Sequence, residues 1–129
     1  MVPGKRFAAA VAAVAIFAAA PALAGDPAAG EKVFKSHLCF ACHKFEAGKN
    51  GVGPSLHGVF GRAAAQAPGF EYSDALKNSK VTWTPDNLDK WVQGPQQFIP
   101  SVKMILAKPV TAKQERDDLI AYIQQESTK

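Results

Sequence analysis

Cysteine is nearly absent from this chain of 129 residues, which has only Cys39 and Cys42. Two thiols exclude a scaffold stapled by several disulfides and a zinc site built from four cysteines. Runs of alternating β-branched residues are also scarce, which argues against a domain built from strands. No basic run with interleaved aromatics occurs, so nothing supports a nucleic-acid partner. Long hydrophobic stretches are limited to the 14 residues from Phe7 to Ala20, short of the ~20 that a bilayer span needs.

That apolar run follows Lys5 and Arg6, ends at Pro21, and leads into Ala22-Leu23-Ala24, a small-x-small cleavage pattern. A signal peptide over residues 1–24 and a mature domain over 25–129 are expected, and the short run ending in proline disfavours a membrane anchor. Removing Lys5 and Arg6 leaves 13 of the 15 basic residues against 11 acidic ones, so the net charge falls from +4 to +2. Export implies an oxidising compartment, where a lone cysteine pair would by default form a disulfide. The spacing of this pair argues otherwise.

The mature sequence reads as helical. Asp26 can cap a helix that has Pro27 at its first position and Val33, Phe34 and Leu38 as its apolar stripe. Gly30 inside that helix costs about 1 kcal/mol relative to alanine, so a close helix crossing is expected there. Residues 48–69 are rich in glycine and proline and read as loop. A short helix follows Ser73. Thr84-Pro85-Asp86 starts another, with Leu88, Trp91 and Val92 buried and Gly94-Pro95 as its stop, and loop then runs to Pro109. Thr111 with Gln114 forms a capping-box pattern ahead of a terminal helix bearing Leu119, Ile120, Tyr122 and Ile123. About half of the mature chain is then loop, too much for an ordinary core of this size. Something other than side chains must fill the centre.

Cys39-Phe40-Ala41-Cys42-His43 is a CxxCH motif. Two thiols one helical turn apart can each add to a haem vinyl group, and the adjacent imidazole can then reach the iron. A disulfide, a redox dithiol or half a zinc site would share the CxxC spacing. A redox dithiol needs a β-α-β context and zinc needs further soft ligands, and the chain offers neither. Met104, the sole methionine of the mature chain, sits in a loop from Ile99 to Ala107 and is the candidate second axial ligand. His37 reads as a surface residue near the cysteines, and His57 as a structural hydrogen-bonding residue.

With these residues in place, the sequence resembles the class I cytochromes c, especially the bacterial cytochromes c2 and the mitochondrial cytochromes c, over residues 26–126. The shared segments beyond CxxCH are Gly53–Arg62, Ala67–Phe70, Val81–Trp83, Ile99–Ile105 and Glu115–Tyr122. The resemblance implies an all-α class I cytochrome c fold, with short helices and loops wrapped around one covalent haem c and with first and last helices crossing. It implies that Cys39 and Cys42 attach the haem, that His43 and Met104 bind iron, and that the Pro54 carbonyl accepts from His43. Arg62, Tyr72 and Trp83 are implied as propionate partners, and Gly30, Phe34, Leu119 and Tyr122 as the contact between terminal helices. The chain departs from the usual pattern in one extra residue between Phe34 and Cys39, and in Leu76, Val102 and Trp91 where Asn, Thr and Tyr are usual. Gln96 and Gln97 stand where lysines are frequent.

These readings lead to a monomeric periplasmic one-electron carrier, not an enzyme. Its expected partners are a bc1-type complex, an oxidase, a photosynthetic reaction centre or a dehydrogenase, met in transient contacts with membrane complexes. A dedicated electron-accepting subunit of a periplasmic dehydrogenase is the alternative. An open-iron enzyme or gas sensor would need a distal acid–base pair that the sequence does not offer.

Overall fold

In the computed structural model, the described residues are 2–5, 7–15 and 24–129. Met1, Arg6 and 16–23 of the expected signal peptide lie outside them. Among the described residues, five α-helices carry the fold: α1 (Pro27–Ser36), α2 (Asp74–Asn78), α3 (Pro85–Gln93), α4 (Pro95–Phe98) and α5 (Lys113–Ser127). A 3-10 turn spans Cys39–Ala41. The one β-bridge in that set joins Ala63 to Thr82. No described helix is long and apolar enough to cross a membrane.

Most helix starts follow local chemistry. Asp26 Oδ1 accepts from the Ala28 amide at 3.1 Å, Ser73 Oγ from Leu76 at 3.1 Å, and Thr84 Oγ1 from Asn87 at 3.2 Å. Each satisfies one of the amides that a first turn leaves without a partner. The Thr111–Gln114 capping box does not form. Helix α5 instead begins after Ala112 without a side-chain cap. The Thr111 carbonyl accepts from Arg116 Nη1 at 2.7 Å, while Gln114 Nε2 donates to Asp118 at 2.9 Å. The Gln114 side chain thus points forward along α5, one turn on, rather than back to Thr111.

Two further expectations need correction. Pro95 does not merely stop α3; it opens α4, because proline fits the first position of a helix. Leu38 does not extend the apolar stripe of α1, since it adopts φ 61° and is 53% exposed.

The expected crossing is present. α1 lies against α5 so closely that a Cβ on Gly30 would stand 1.9 Å from the Asp118 carbonyl oxygen and 2.7 Å from Tyr122 Cβ. The contact continues through Phe34, whose ring centroid lies 5.4 Å from Tyr122 and 5.2 Å from Phe45. Phe45 completes this aromatic trio at 5.6 Å from Tyr122. Leu119, Ile120 and Ile123 are buried beneath the crossing.

Alanine at position 30 would gain about 1 kcal/mol of helix propensity. The clash is with backbone, which cannot swing aside, and overpacking of this kind outweighs that gain. Gly30→Ala is therefore expected to lower the unfolding free energy by on the order of 2–3 kcal/mol. Denaturant titration measures it, and an unchanged or raised midpoint would show that the helices have room to spare.

Candidate haem site

α1 delivers the cysteines. After its last residue the chain turns through Leu38 into the 3-10 turn, where the Cys39 carbonyl accepts from the Cys42 amide at 3.2 Å and the His43 amide at 2.9 Å. CxxCH is thus one tight turn, with both thiols free and half-buried. Burial pushes the Cys39 thiol up to about 11. It stays protonated near neutral pH, unlike the acidic thiolate of a redox dithiol.

His43 is fixed by the segment that follows. Its Nδ1 lies 2.8 Å from the Pro54 carbonyl oxygen. A carbonyl only accepts, so Nδ1 carries the proton and Nε2 keeps its lone pair. Burial holds the imidazole below the usual histidine pKa, with the Pro54 hydrogen bond partly opposing that shift. Burial outweighs the hydrogen bond and favours a neutral ring, as a metal ligand must be. Gly53 lies directly beside this ring: a Cβ there would stand 2.5 Å from His43 Cε1 and 2.8 Å from Nδ1. The Gly53 amide donates to the Cys42 carbonyl at 2.9 Å, closing the loop back onto the motif.

Met104 occupies irregular chain between α4 and α5. The Trp91 indole N–H donates to its sulfur at 3.2 Å. Trp91 also meets Trp83 edge to face, with centroids 5.0 Å apart. Because an indole does not ionise in the ordinary pH range, this donor persists where a phenol would lose its proton.

The cytochrome c family model matches residues 27–127. Cytochrome c2 of Blastochloris viridis is 50% identical over 107 residues, covering 82% of each chain. Cytochrome c2 of Rhodoblastus acidophilus is 48% identical over 103 residues, covering 79% of this chain and 94% of its own. The solved structure of cytochrome cH from Methylobacterium extorquens superposes with a TM-score of 0.72 at 45% identity, covering 78% of this chain and 99% of its own. The chain belongs to the cytochrome c family.

This cytochrome is a monohaem c-type electron carrier of the class I fold, and Cys39 and Cys42 stand in the CxxCH motif that covalent haem c requires. Its polar groups fit an anionic prosthetic group. Arg62 donates through Nη1 to the His57 carbonyl at 2.9 Å, but its Nε is buried without a partner. A buried guanidinium N–H left open costs free energy unless a ligand completes it. Tyr72 accepts from the Ala67 amide at 3.0 Å, and burial raises its pKa, so the phenol keeps a proton to donate. Trp83 is buried close by in sequence to the bridge at Thr82, and its backbone pairs with Arg62 at 2.8 Å and Gly61 at 2.8 Å.

His37 is not on the surface as expected; it is buried. His57 is exposed, and its contacts run through its backbone: its carbonyl accepts from Arg62 and its amide donates to Ser55 Oγ at 3.2 Å. Sequence reasoning missed Gly53 as the residue that gives the imidazole its space, and Phe45 as a member of the aromatic trio. For Gly53 the signal was available, since a glycine directly before the proline whose carbonyl holds His43 marks a close backbone approach.

Gly53→Ala is expected to dislodge the His43 ring and to cost on the order of 2 kcal/mol of stability through overpacking. Denaturant titration reads the cost, and NMR should show the slowly exchanging His43 Nδ1 proton lost. A variant retaining that protected proton would disprove the close packing.

Proposed function

We propose that this cytochrome is a diffusing periplasmic carrier of single electrons whose iron is held by His43 and Met104. When bound, haem c supplies one-electron redox chemistry at its iron. The chain's own residues decide what that iron can do. The observation that carries the reading is that each donor is already committed to its role by a second contact: His43 through Pro54 at 2.8 Å, and Met104 through Trp91 at 3.2 Å. Two protein donors leave no position for a substrate, which favours electron transfer over catalysis. A thioether favours the ferrous state relative to a second imidazole and so supports a raised potential. Arg62, Tyr72 and Trp83 are proposed to hold the propionates, the first two through the open N–H and O–H described above.

The docking face fits small, transient encounters. Leu38 and Phe40, on either side of Cys39, and Ile105, next to Met104, are exposed apolar residues, with Lys103 and Lys108 exposed nearby in sequence. Electron-transfer contacts sit at the low end of interface size, where a modest apolar patch with a charged rim suffices. The same patch would also serve a dedicated subunit of a periplasmic dehydrogenase. Size-exclusion chromatography of native periplasm separates the two readings: elution as a free monomer supports the carrier, and stable co-elution with a dehydrogenase supports the subunit.

The ligand assignment makes a direct prediction. Met104→Ala should keep the haem attached, open the iron to external ligands, and lower the reduction potential by on the order of 0.1 V or more. His57→Ala should leave spectrum and potential unchanged. The opposite pattern would remove Met104 from the assignment.

Removal of residues 1–24 is also proposed. The residues that cleavage would leave at the start of the chain are packed into the fold: a Cβ on Gly25 would stand 2.0 Å from the Asp117 carbonyl oxygen, and the Asp26 amide donates to Asp118 Oδ1 at 2.9 Å. Mass spectrometry of the periplasmic protein should give a chain starting at Gly25 plus one haem. A chain retaining Met1 in the membrane fraction would refute the processing.

A further inference from the structure

We propose that His37 is a clasp that ties the methionine loop to the cysteine segment and thereby sets how readily Met104 leaves the iron. The proposal rests on the reading of Met104 as an axial ligand. It begins with the extra residue between Phe34 and Cys39. In that stretch Leu38 has a φ of 61°, which places a branched L-residue in the left-handed region. Such a conformation persists only where its surroundings enforce it. Here it turns Leu38 outward and His37 inward, leaving the His37 side chain 3% exposed.

The buried ring bridges two elements. Nδ1 lies 2.7 Å from the Lys108 carbonyl oxygen, and Nε2 lies 3.5 Å from the Glu115 carboxylate on α5. Since the carbonyl can only accept, Nδ1 is the protonated nitrogen and donates to the loop. Arg116, the next residue of α5, is engaged elsewhere, with Nε on Asp89 at 2.7 Å and Nη1 on the Thr111 carbonyl at 2.7 Å.

What distinguishes His37 is the direction from which it reaches. Between α4 and α5 the loop is held by Gln96 to the Val102 carbonyl at 3.3 Å, Trp91 to Met104 at 3.2 Å, the Val110 amide to Val92 at 3.0 Å, and Arg116 to Val110 and Thr111. All of these partners lie on α3, α4 or α5. Among the described residues, His37 makes the one hydrogen bond that joins this loop to the segment bearing the cysteines. The two stretches that supply the two axial donors are therefore fastened to each other at one point. Swinging the loop away must break that bond and leave a buried N–H and a carbonyl without partners.

The test uses the ferric holoprotein and imidazole, which competes with Met104 for iron. Wild-type protein should show the far-red absorption of sulfur-bound ferric haem; its absence would overturn the Met104 reading itself. Given that band, His37→Phe, which fills the space without a donor, should bind imidazole at least about 5-fold more tightly, the weight of one hydrogen bond. His37→Gln, which restores a side-chain N–H, should return affinity to within about 2-fold of wild type. Equal imidazole affinity in wild type and His37→Phe would overturn the clasp. So would equal affinity in the Gln and Phe variants, which would assign the effect to packing. A measurement on wild type needs no variant to fold: the His37 Nδ1 proton should exchange slowly in free protein and faster once imidazole is bound. Exchange at the same rate in both states would also overturn the proposal.

Discussion

The approach of α1 to α5 at Gly30 is the constraint on which the rest of the structure depends. With the Asp118 carbonyl oxygen 1.9 Å from where a side chain would begin, the two helices meet backbone to backbone, and their relative position is set by covalent geometry more than by side-chain choice. The end of α1 carries the chain into CxxCH. The first turn of α5 supplies Glu115 to His37 and Arg116 to the carbonyls at the end of the methionine loop. One crossing thus fixes the origins of both segments that carry the proposed iron donors, His43 and Met104. A mutation there would be felt at a distance, because both donors are referenced to the same pair of helices.

Within that frame, the polar groups of the site are settled before any ligand arrives. The Pro54 carbonyl selects the His43 tautomer, Gly53 clears space for its ring, and burial keeps it neutral. Trp91 holds the sulfur. Such pairings reduce the number of arrangements the site can adopt, and they lower the reorganisation needed when charge on the iron changes. Arg62 stands apart, with one buried N–H open, which is why it is proposed as a propionate partner.

What could be read from the sequence was mostly local. Asp26, Ser73 and Thr84 capped the helices they announced, and Gly30 marked the crossing, because each acts within one turn or carries a penalty that only a close contact explains. CxxCH was legible for the same reason, its role being set by spacing, whereas the part of Pro54 followed from the resemblance to the class I cytochromes c. The misreadings had different causes. Thr111 and Gln114 satisfied a capping pattern, but α5 begins one residue later, after Ala112, and Gln114 pairs with Asp118 one turn on. His37 looked like a surface residue because a lone polar side chain at a helix end is usually solvated. Only the left-handed turn at Leu38, a strained state that no local preference announces, shows why its ring points inward. Phe45 joined the aromatic trio from a loop, where periodicity gives no signal.

The two donors are supported unequally, and this bears on function. His43 sits within a turn whose own backbone bonds close on it, from Cys39 to His43 and from Gly53 to Cys42. Releasing it would require that turn to unwind. Met104 belongs to a stretch without regular structure, retained by a handful of side-chain contacts from α3, α4, α5 and the cysteine segment. Segments with few internal hydrogen bonds open at lower free energy than the helices around them. The fold therefore concentrates its ability to open on the methionine side and its rigidity on the histidine side. For a carrier that must meet partners without losing or exchanging its haem, this asymmetry is useful: on the proposed ligation, covalent attachment and His43 would keep the cofactor in place, while the number of contacts on the loop would determine how often the iron is exposed.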